Sequence, residues 1–388
     1  MTSIERVIDG RQIVICAGSG GVGKTTTSAA IALGMAARGL KVCVLTIDPA
    51  KRLADSLGLD ELGNEATRVD PKLLARHGID AAEGGELWAM MLDAKETFDA
   101  LVARHAEDAA ARDRVLGNRI YQQISGALAG SQEYMAMEKL FELHSEGRFD
   151  LLVLDTPPSR NALDFLDAPR RLIQFIEGRS LQIFLRPTGL AARVAGRGAS
   201  VVLSVLKRIV GFDLLADLSE FFTAFSGMID GFRDRAHRVN TLLADRRTCF
   251  VVVCGPQGQP IDEAVFFHSK LVENEMHFAG VVVNRVRYRL GTRAPRLRDL
   301  STRIEAELGG EGGPLAEAAA RNLIEYDVLA QRDARNVARL AKSLGDEHLI
   351  RVPYLDTDVH DLAGLAEINR YLFADEETRI GLATGDGG

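Results

Sequence analysis

The sequence predicts an α/β fold: a mostly parallel sheet with helices on both faces, carrying an inserted α-helical subdomain. Three observations predict it. Short apolar, β-branched runs recur along the chain, helical stretches separate them, and two long segments carry helical patterning with no strand.

The apolar runs fall at residues 12–16, 41–47, 87–92, 151–154, 250–254, 280–283 and 349–352. Most are nearly continuous rather than alternating, as strands covered on both faces require. Residues 24–38 are rich in Ala and Thr and stop at Gly39, a residue suited to a helix C-cap. Residues 260–276 open on Pro260 and acids and carry an apolar face. Segments 95–146 and 164–245 break the alternation, with the strand 151–154 between them. The expected organisation is one unit over residues 1–388, with its core at roughly 8–94, 147–163 and 246–374. A helical subdomain is expected at roughly 95–146 and 164–245, and a disordered tail at 381–388.

Composition narrows the function classes. With 388 residues, 46% hydrophobic and 26% charged, the chain has material for a large core. A net charge of −7 argues against a broad nucleic-acid-binding face, so no nucleic-acid partner is expected. No basic segment leading into an apolar stretch and a small-residue cleavage site opens the chain, and no apolar run is long enough to span a bilayer. The expectation is a cytoplasmic protein with at most peripheral membrane association. Cys16, Cys43, Cys249 and Cys254 include no C-x-x-C pair and lie in or at the edge of strand-like runs, where buried, reduced thiols are expected.

The second helical segment holds Phe165, Phe175, Phe184, Phe212, Phe221, Phe222, Phe225 and Phe232, half of the 16 phenylalanines. Two readings stand open. Helix-spaced apolar residues pack a core, and they also line hydrophobic grooves for a partner's apolar segment. Gly189, Gly196, Gly198 and Gly211, with Pro187, loosen the same region.

The sharpest signal is Gly18-Ser19-Gly20-Gly21-Val22-Gly23-Lys24-Thr25, a G-x-x-x-x-G-K-T run between the first strand and the first helix. Gly20, Gly21 and Gly23 let the backbone turn its N–H groups towards an anion without Cβ clashes. The helix N-terminus adds partial positive charge. The expected ligand is ATP, with Gly20, Gly21, Val22, Gly23, Lys24, Thr25 and Thr26 around its phosphates. Lys24 meets the β- and γ-phosphates and the Thr25 hydroxyl ligates Mg²⁺. The fold class sharpens to that of a P-loop NTPase.

In an open parallel sheet, ligands bind beyond the carboxyl ends of the strands. There the runs deliver Asp48, Asp155, Asn284 and Pro353. Asp155 has the Walker-B form and is expected to hold Mg²⁺ with Thr25. Asp48 is placed to orient and deprotonate the attacking water. Asn284 offers a donor and an acceptor to the adenine edge, and Pro353 joins it in the expected nucleotide-binding set. Asp and Asn also end strands as plain turn formers, so each gains its weight from the phosphate loop beside it.

These motifs resemble those of the ArsA-like anion-transporting ATPases, which include the arsenite-pump ATPase and the targeting factor for tail-anchored membrane proteins. The matching pieces are GSGGVGKTT at 18–26, DPAKRLAD at 48–55, DTPPSRNAL at 155–163 and VVVN at 281–284. They stand in family order, and the helical insertions fall where that family carries its helical subdomain. The resemblance implies a nucleotide-dependent dimer with ATP at the subunit interface. It also implies a first switch at Asp48, a second switch at Asp155, and, in the targeting branch, a hydrophobic client groove on the helical subdomain.

Three departures from the family pattern stand out. Ser19 occupies the place of a lysine that reaches the partner subunit's nucleotide, making the loop a variant of the deviant Walker A. Arg160 and Asn161 replace a common Gly-His pair in the second switch. The cysteines of arsenite sensing and of an interfacial zinc clasp have no counterpart, so a soft metalloid lacks an evident site and arsenite efflux is the least supported role. The expected function is Mg²⁺-dependent ATP hydrolysis driving a dimer cycle coupled to a client- or partner-binding helical subdomain. The alternative is a weakly active regulatory subunit paired with a lysine-bearing paralogue.

Overall fold

The computed structural model describes residues 3–48, 50–79, 82–124, 131–157, 162–177, 221, 227–289, 296–308 and 313–384. Its strands are β1 (Ile13–Ala17), β2 (Lys41–Thr46), β3 (Thr67–Arg68), β4 (Glu86–Met91), β5 (Leu151–Asp155), β6 (Thr248–Cys254), β7 (Phe278–Val286) and β8 (Leu349–Pro353). They form one sheet in the order β3-β4-β2-β5-β1-β6-β7-β8. Every pairing is parallel except β3 with β4.

Alternation of side chains along the strands divides the interior into two cores, one on each face. Ile13, Ile15, Cys43, Leu45, Leu152, Leu154, Phe250 and Val252 point to the first. Val14, Cys16, Val42, Val44, Leu151, Val153, Cys249 and Val251 point to the second. This is why the strands read as continuous apolar runs: neither face meets water.

The second face is covered by α1 (Ile4–Val7), α2 (Lys24–Ala36), α3 (Arg52–Leu57), α4 (Pro71–Arg76) and, from the far end of the chain, α14 (Leu362–Leu372). Helix α2 is buried along nearly its whole length. Its small residues let neighbours approach closely: a Cβ at Gly34 would fall 2.1 Å from the Phe373 ring.

The first face carries α5 (Ala94–His105), α6 (Ala109–Gly117), α7 (Arg119–Ile124), α8 (Ser131–Glu146), α9 (Ala162–Glu177), α10 (Ile229–Ala244) and α11 (Gly258–Glu273), with the end of α13 (Gly313–Leu344), while α12 (Leu297–Glu307) packs on α13. Helices α5 to α10 come from the two segments that lacked strand patterning. Tyr121, Tyr134, Leu140, Phe232 and Val239 share one core with β1 and β2. Phe98 stacks on Tyr121 at 5.5 Å and meets Phe232 edge-on at 5.8 Å. Glu138 of α8, 1% exposed, accepts from Arg235 of α10 at 2.7 Å, an ion pair that is costly to break from one side.

Phe221 and Phe232 are therefore core residues. Phe184, Phe212, Phe222 and Phe225, the side chains of Phe165 and Phe175, and the loop glycines with Pro187 lie outside the described residues. Between β7 and β8, α12 packs on the 32-residue α13, a pair that the sequence patterning does not announce. The last helix, α15 (Glu376–Thr384), takes up residues 381–384 of the expected disordered tail, and 385–388 lie outside the described residues.

Candidate functional site

Strand β1 sits where the strand order reverses, and the loop that leaves it turns into α2. Gly21 and Gly23 have φ of +76° and +92°, and Gly23 is the N-cap of α2. Only glycine takes these angles without strain. Space is a second constraint: a Cβ at Gly18 would lie 2.0 Å from the Val253 carbonyl oxygen, and one at Gly23 would lie 2.3 Å from Asn284 Nδ2. The loop is thus packed against the ends of β6 and β7.

Lys24 opens α2, is buried, and its Nζ donates to the Ser19 carbonyl at 2.7 Å. Burial pulls its pKa down, while Asp155 and Asp48 act in the opposite direction. Thr25 Oγ1 donates to Asp155 Oδ2 at 2.7 Å, and Thr46 Oγ1 donates to the same oxygen at 2.9 Å. Thr46 lies opposite Asp155 in the β2–β5 register. The other carboxylate oxygen, Asp155 Oδ1, is buried without a hydrogen-bond partner. Burial pushes the Asp155 pKa up to about 6 against the hydrogen bonds from the two threonines.

That orphaned oxygen beside a threonine hydroxyl suits a hard divalent cation. Such an ion takes oxygen ligands from one or two carboxylates and completes its shell with water and phosphate. Thr25 and Asp155 are the residues able to hold it.

Asp48 follows β2 and closes a turn, its Oδ1 accepting from Ala50 N–H at 3.0 Å and its Oδ2 lying 3.8 Å from Arg52 Nη1. It influences both Lys24 and Asp155 electrostatically, so it belongs to the same cluster. Asn284, at the end of β7, is 7% exposed, donates to the Val22 carbonyl at 2.9 Å and accepts from Arg285 N–H at 2.9 Å. An amide carries two donors and two acceptor sites, so one of each remains for a ligand.

Gly23, Thr26, Asn284 and Pro353 line one cavity of about 330 Å³, with Arg285 and Tyr354 also in its wall. The volume falls in the range of small-ligand sites. All the sequence-derived site residues among those described thus gather at the carboxyl ends of β1, β2, β5, β7 and β8. Pro49, and Arg160 and Asn161 of the second switch, lie outside the described residues.

Sequence reasoning overlooked Thr46, Arg285 and Tyr354. Thr46 had a readable signal, a hydroxyl ending the strand that delivers Asp48. Arg285 and Tyr354 had none. The four cysteines are all buried and unpaired, their thiols pushed up to about 12 by burial. Among the described residues no helix is long and apolar enough to cross a membrane.

A glycine-rich loop between strand and helix, a lysine and threonine at its end, and an aspartate on the adjacent strand define a P-loop NTPase. The model of the anion-transporting ATPase family matches residues 11–289, and the chain belongs to that family. It is an ATPase. ATPase GET3 of Podospora anserina is 23% identical over 287 residues, covering 73% of this chain and 76% of the relative. ATPase ASNA1 homolog 1 of Paramecium tetraurelia is 24% identical over 277 residues, covering 70% and 74%. ATPase ASNA1 homolog of Trypanosoma cruzi is 24% identical over 385 residues, covering 93% and 90%, so that likeness runs on through the C-terminal part of the chain.

Proposed function

We propose that the chain is a cytoplasmic, Mg²⁺-dependent ATPase whose nucleotide cycle opens and closes a dimer. That cycle is coupled to the helices of segments 95–146 and 164–245, acting as a subdomain for a hydrophobic client or a protein partner. The observation that carries the reading is the Thr25–Asp155–Thr46 cluster, with its buried unpartnered oxygen, directly beneath the phosphate loop. Similarity to proteins named ATPase GET3 and ATPase ASNA1 homolog points to the targeting branch of the family, whose clients are tail-anchored membrane proteins.

In the proposed reaction, water attacks the γ-phosphorus in line with the departing ADP oxygen. Residues 20–26 hold the phosphates through backbone N–H groups, which hold developing negative charge without having to reorganise. Lys24 Nζ leaves the Ser19 carbonyl for phosphate oxygen, exchanging a neutral acceptor for a charged one. Thr25 and Asp155 would hold Mg²⁺, which would supply positive charge against that developing on the phosphates. Asp48 releases the Ala50 N–H, orients the water and takes its proton. Asn284 and Pro353 seat the adenine.

Ser19 favours a second reading, a weakly active regulatory subunit paired with a lysine-bearing paralogue. Cations supplied across an interface raise phosphoryl-transfer rates by orders of magnitude, and a serine supplies none.

The test of the main reading is solution mass with Asp48→Asn protein. With ATP and Mg²⁺ the variant is expected to bind nucleotide, hydrolyse it at least about a hundredfold more slowly, and shift towards a dimer that ADP does not support. Hydrolysis at the unaltered rate would remove Asp48 from the mechanism. A mass indifferent to nucleotide would remove the dimer cycle.

A further inference from the structure

Three alternating arginines straddle the end of β7, Arg285 inside the strand and Arg287 and Arg289 just beyond it, and their surroundings differ. Arg287 donates from both its backbone N–H and its guanidinium to Asp333 Oδ2, each at 3.3 Å. Arg289 donates to Asp327 Oδ1 at 3.2 Å. Both aspartates are buried side chains of the long helix α13. Arg285 has no such partner: among the described residues no carboxylate pairs with it, and its guanidinium donates only to the Gly21 carbonyl, at 3.4 Å.

Its backbone is also unusual. Arg285 has φ of +61°, a left-handed conformation that costs a side-chain-bearing residue energy and tends to mark functional positions. The β7–β8 register shifts over the same stretch, between Val283 and Val286. Asn284 Oδ1 caps the Arg285 N–H, and Asp333 anchors the strand two residues on, so the kink is held from both sides. Its effect is to carry an exposed arginine onto the phosphate loop, where it lines the same cavity as Gly23, Thr26 and Asn284. An exposed cation there, on the loop that leads into the positive end of α2, adds to the attraction of the site for an anion.

We propose that Arg285 contacts the phosphates of the bound nucleotide, supplying from β7 a second cation besides Lys24. A guanidinium suits this role because its fork of donors matches phosphate oxygens. The proposal rests on the reading of residues 18–25 as the ATP site. Asp333 is a positioning residue, acting through Arg287 and the kink.

The test is the affinity of the full chain for adenosine, ADP and ATP, each with Mg²⁺, measured by calorimetry for the unaltered protein, Arg285→Gly, Arg285→Lys and Lys24→Ala. Glycine keeps the left-handed backbone, so Arg285→Gly removes the charge without straining the fold. The Kd of ADP and ATP is expected to rise about tenfold in Arg285→Gly, with adenosine changed by less than about twofold and Arg285→Lys in between. Unchanged ADP and ATP affinity in Arg285→Gly, or an equal loss for adenosine, would overturn the proposal while the Lys24→Ala loss left the ATP site standing. An unaltered protein that binds no nucleotide, or a Lys24→Ala variant that binds ADP as tightly as the parent, would overturn both.

Discussion

Thr25 Oγ1 lies 2.7 Å from Asp155 Oδ2, although the two residues are 130 positions apart in sequence. The contact joins the first turn of α2 to the end of β5 and turns two separate motifs into one site. Its other consequence is electrostatic. The aspartate is almost fully buried, and only one of its oxygens is satisfied.

Asp155 therefore lowers the stability of the nucleotide-free protein above its own pKa. Burial raises its folded pKa from the ordinary aspartate value of 3.8 to about 6. The native state thus holds a proton over a pH range in which the unfolded chain has lost it. The stability this group contributes is full below about pH 4 and is lost as pH rises to about 6, an effect of about 3 kcal/mol. Asp155→Asn is expected to raise the melting temperature of the nucleotide-free protein at pH 7.5 and to flatten its dependence on pH between about 4 and 6. The same variant loses the extra stabilisation that ATP with Mg²⁺ gives over ATP with a chelator. Thermal denaturation across pH, with and without Mg²⁺, checks both halves.

Gly23 tests the loop's geometry. Gly23→Ala places a Cβ 2.3 Å from Asn284 Nδ2 and on a backbone with φ of +92°. The backbone strain alone costs about 1–2 kcal/mol, and Asn284 must leave its bond to the Val22 carbonyl. A lower melting temperature together with at least a tenfold (about 1.4 kcal/mol) loss of ATP affinity is expected. A variant as stable and as tight-binding as the parent would mean that the loop and Asn284 do not pack as described.

Ser19 separates the self-sufficient dimer from the heteromeric assembly. Ser19→Lys is expected to raise turnover of the isolated chain by about tenfold or more. Mixing the unaltered chain with a lysine-bearing paralogue should do the same. Turnover that neither change moves would remove the regulatory reading.

Much of this site is legible in the sequence. The strands β1, β2, β4, β5, β6, β7 and β8 appear where continuous apolar runs stood, because burial on both faces leaves no other composition. The phosphate loop was legible because its spacing answers to backbone geometry. Helix α13 was not, for a physical reason. Its buried face starts as Ala316, Ala320 and Ala330 with Asp327 and Asp333 set into it, and large aliphatic residues enter only at Val337, Leu340 and Leu344, so the apolar stripe is interrupted by charge over most of its length. Strand β3 is two exposed residues, too short for alternation to register. Arg285 had no signal because left-handed backbone at a non-glycine residue comes from its tertiary setting, here the β7–β8 register shift and the Asp333 anchor.

The central claim is that the loop ending in Lys24 and Thr25 binds and turns over ATP. Steady-state release of phosphate from ATP with Mg²⁺, by the unaltered protein and by Lys24→Ala, tests it most directly. The account predicts measurable turnover that requires Mg²⁺ and falls at least about a hundredfold in the variant. Equal phosphate release by the two proteins would contradict it.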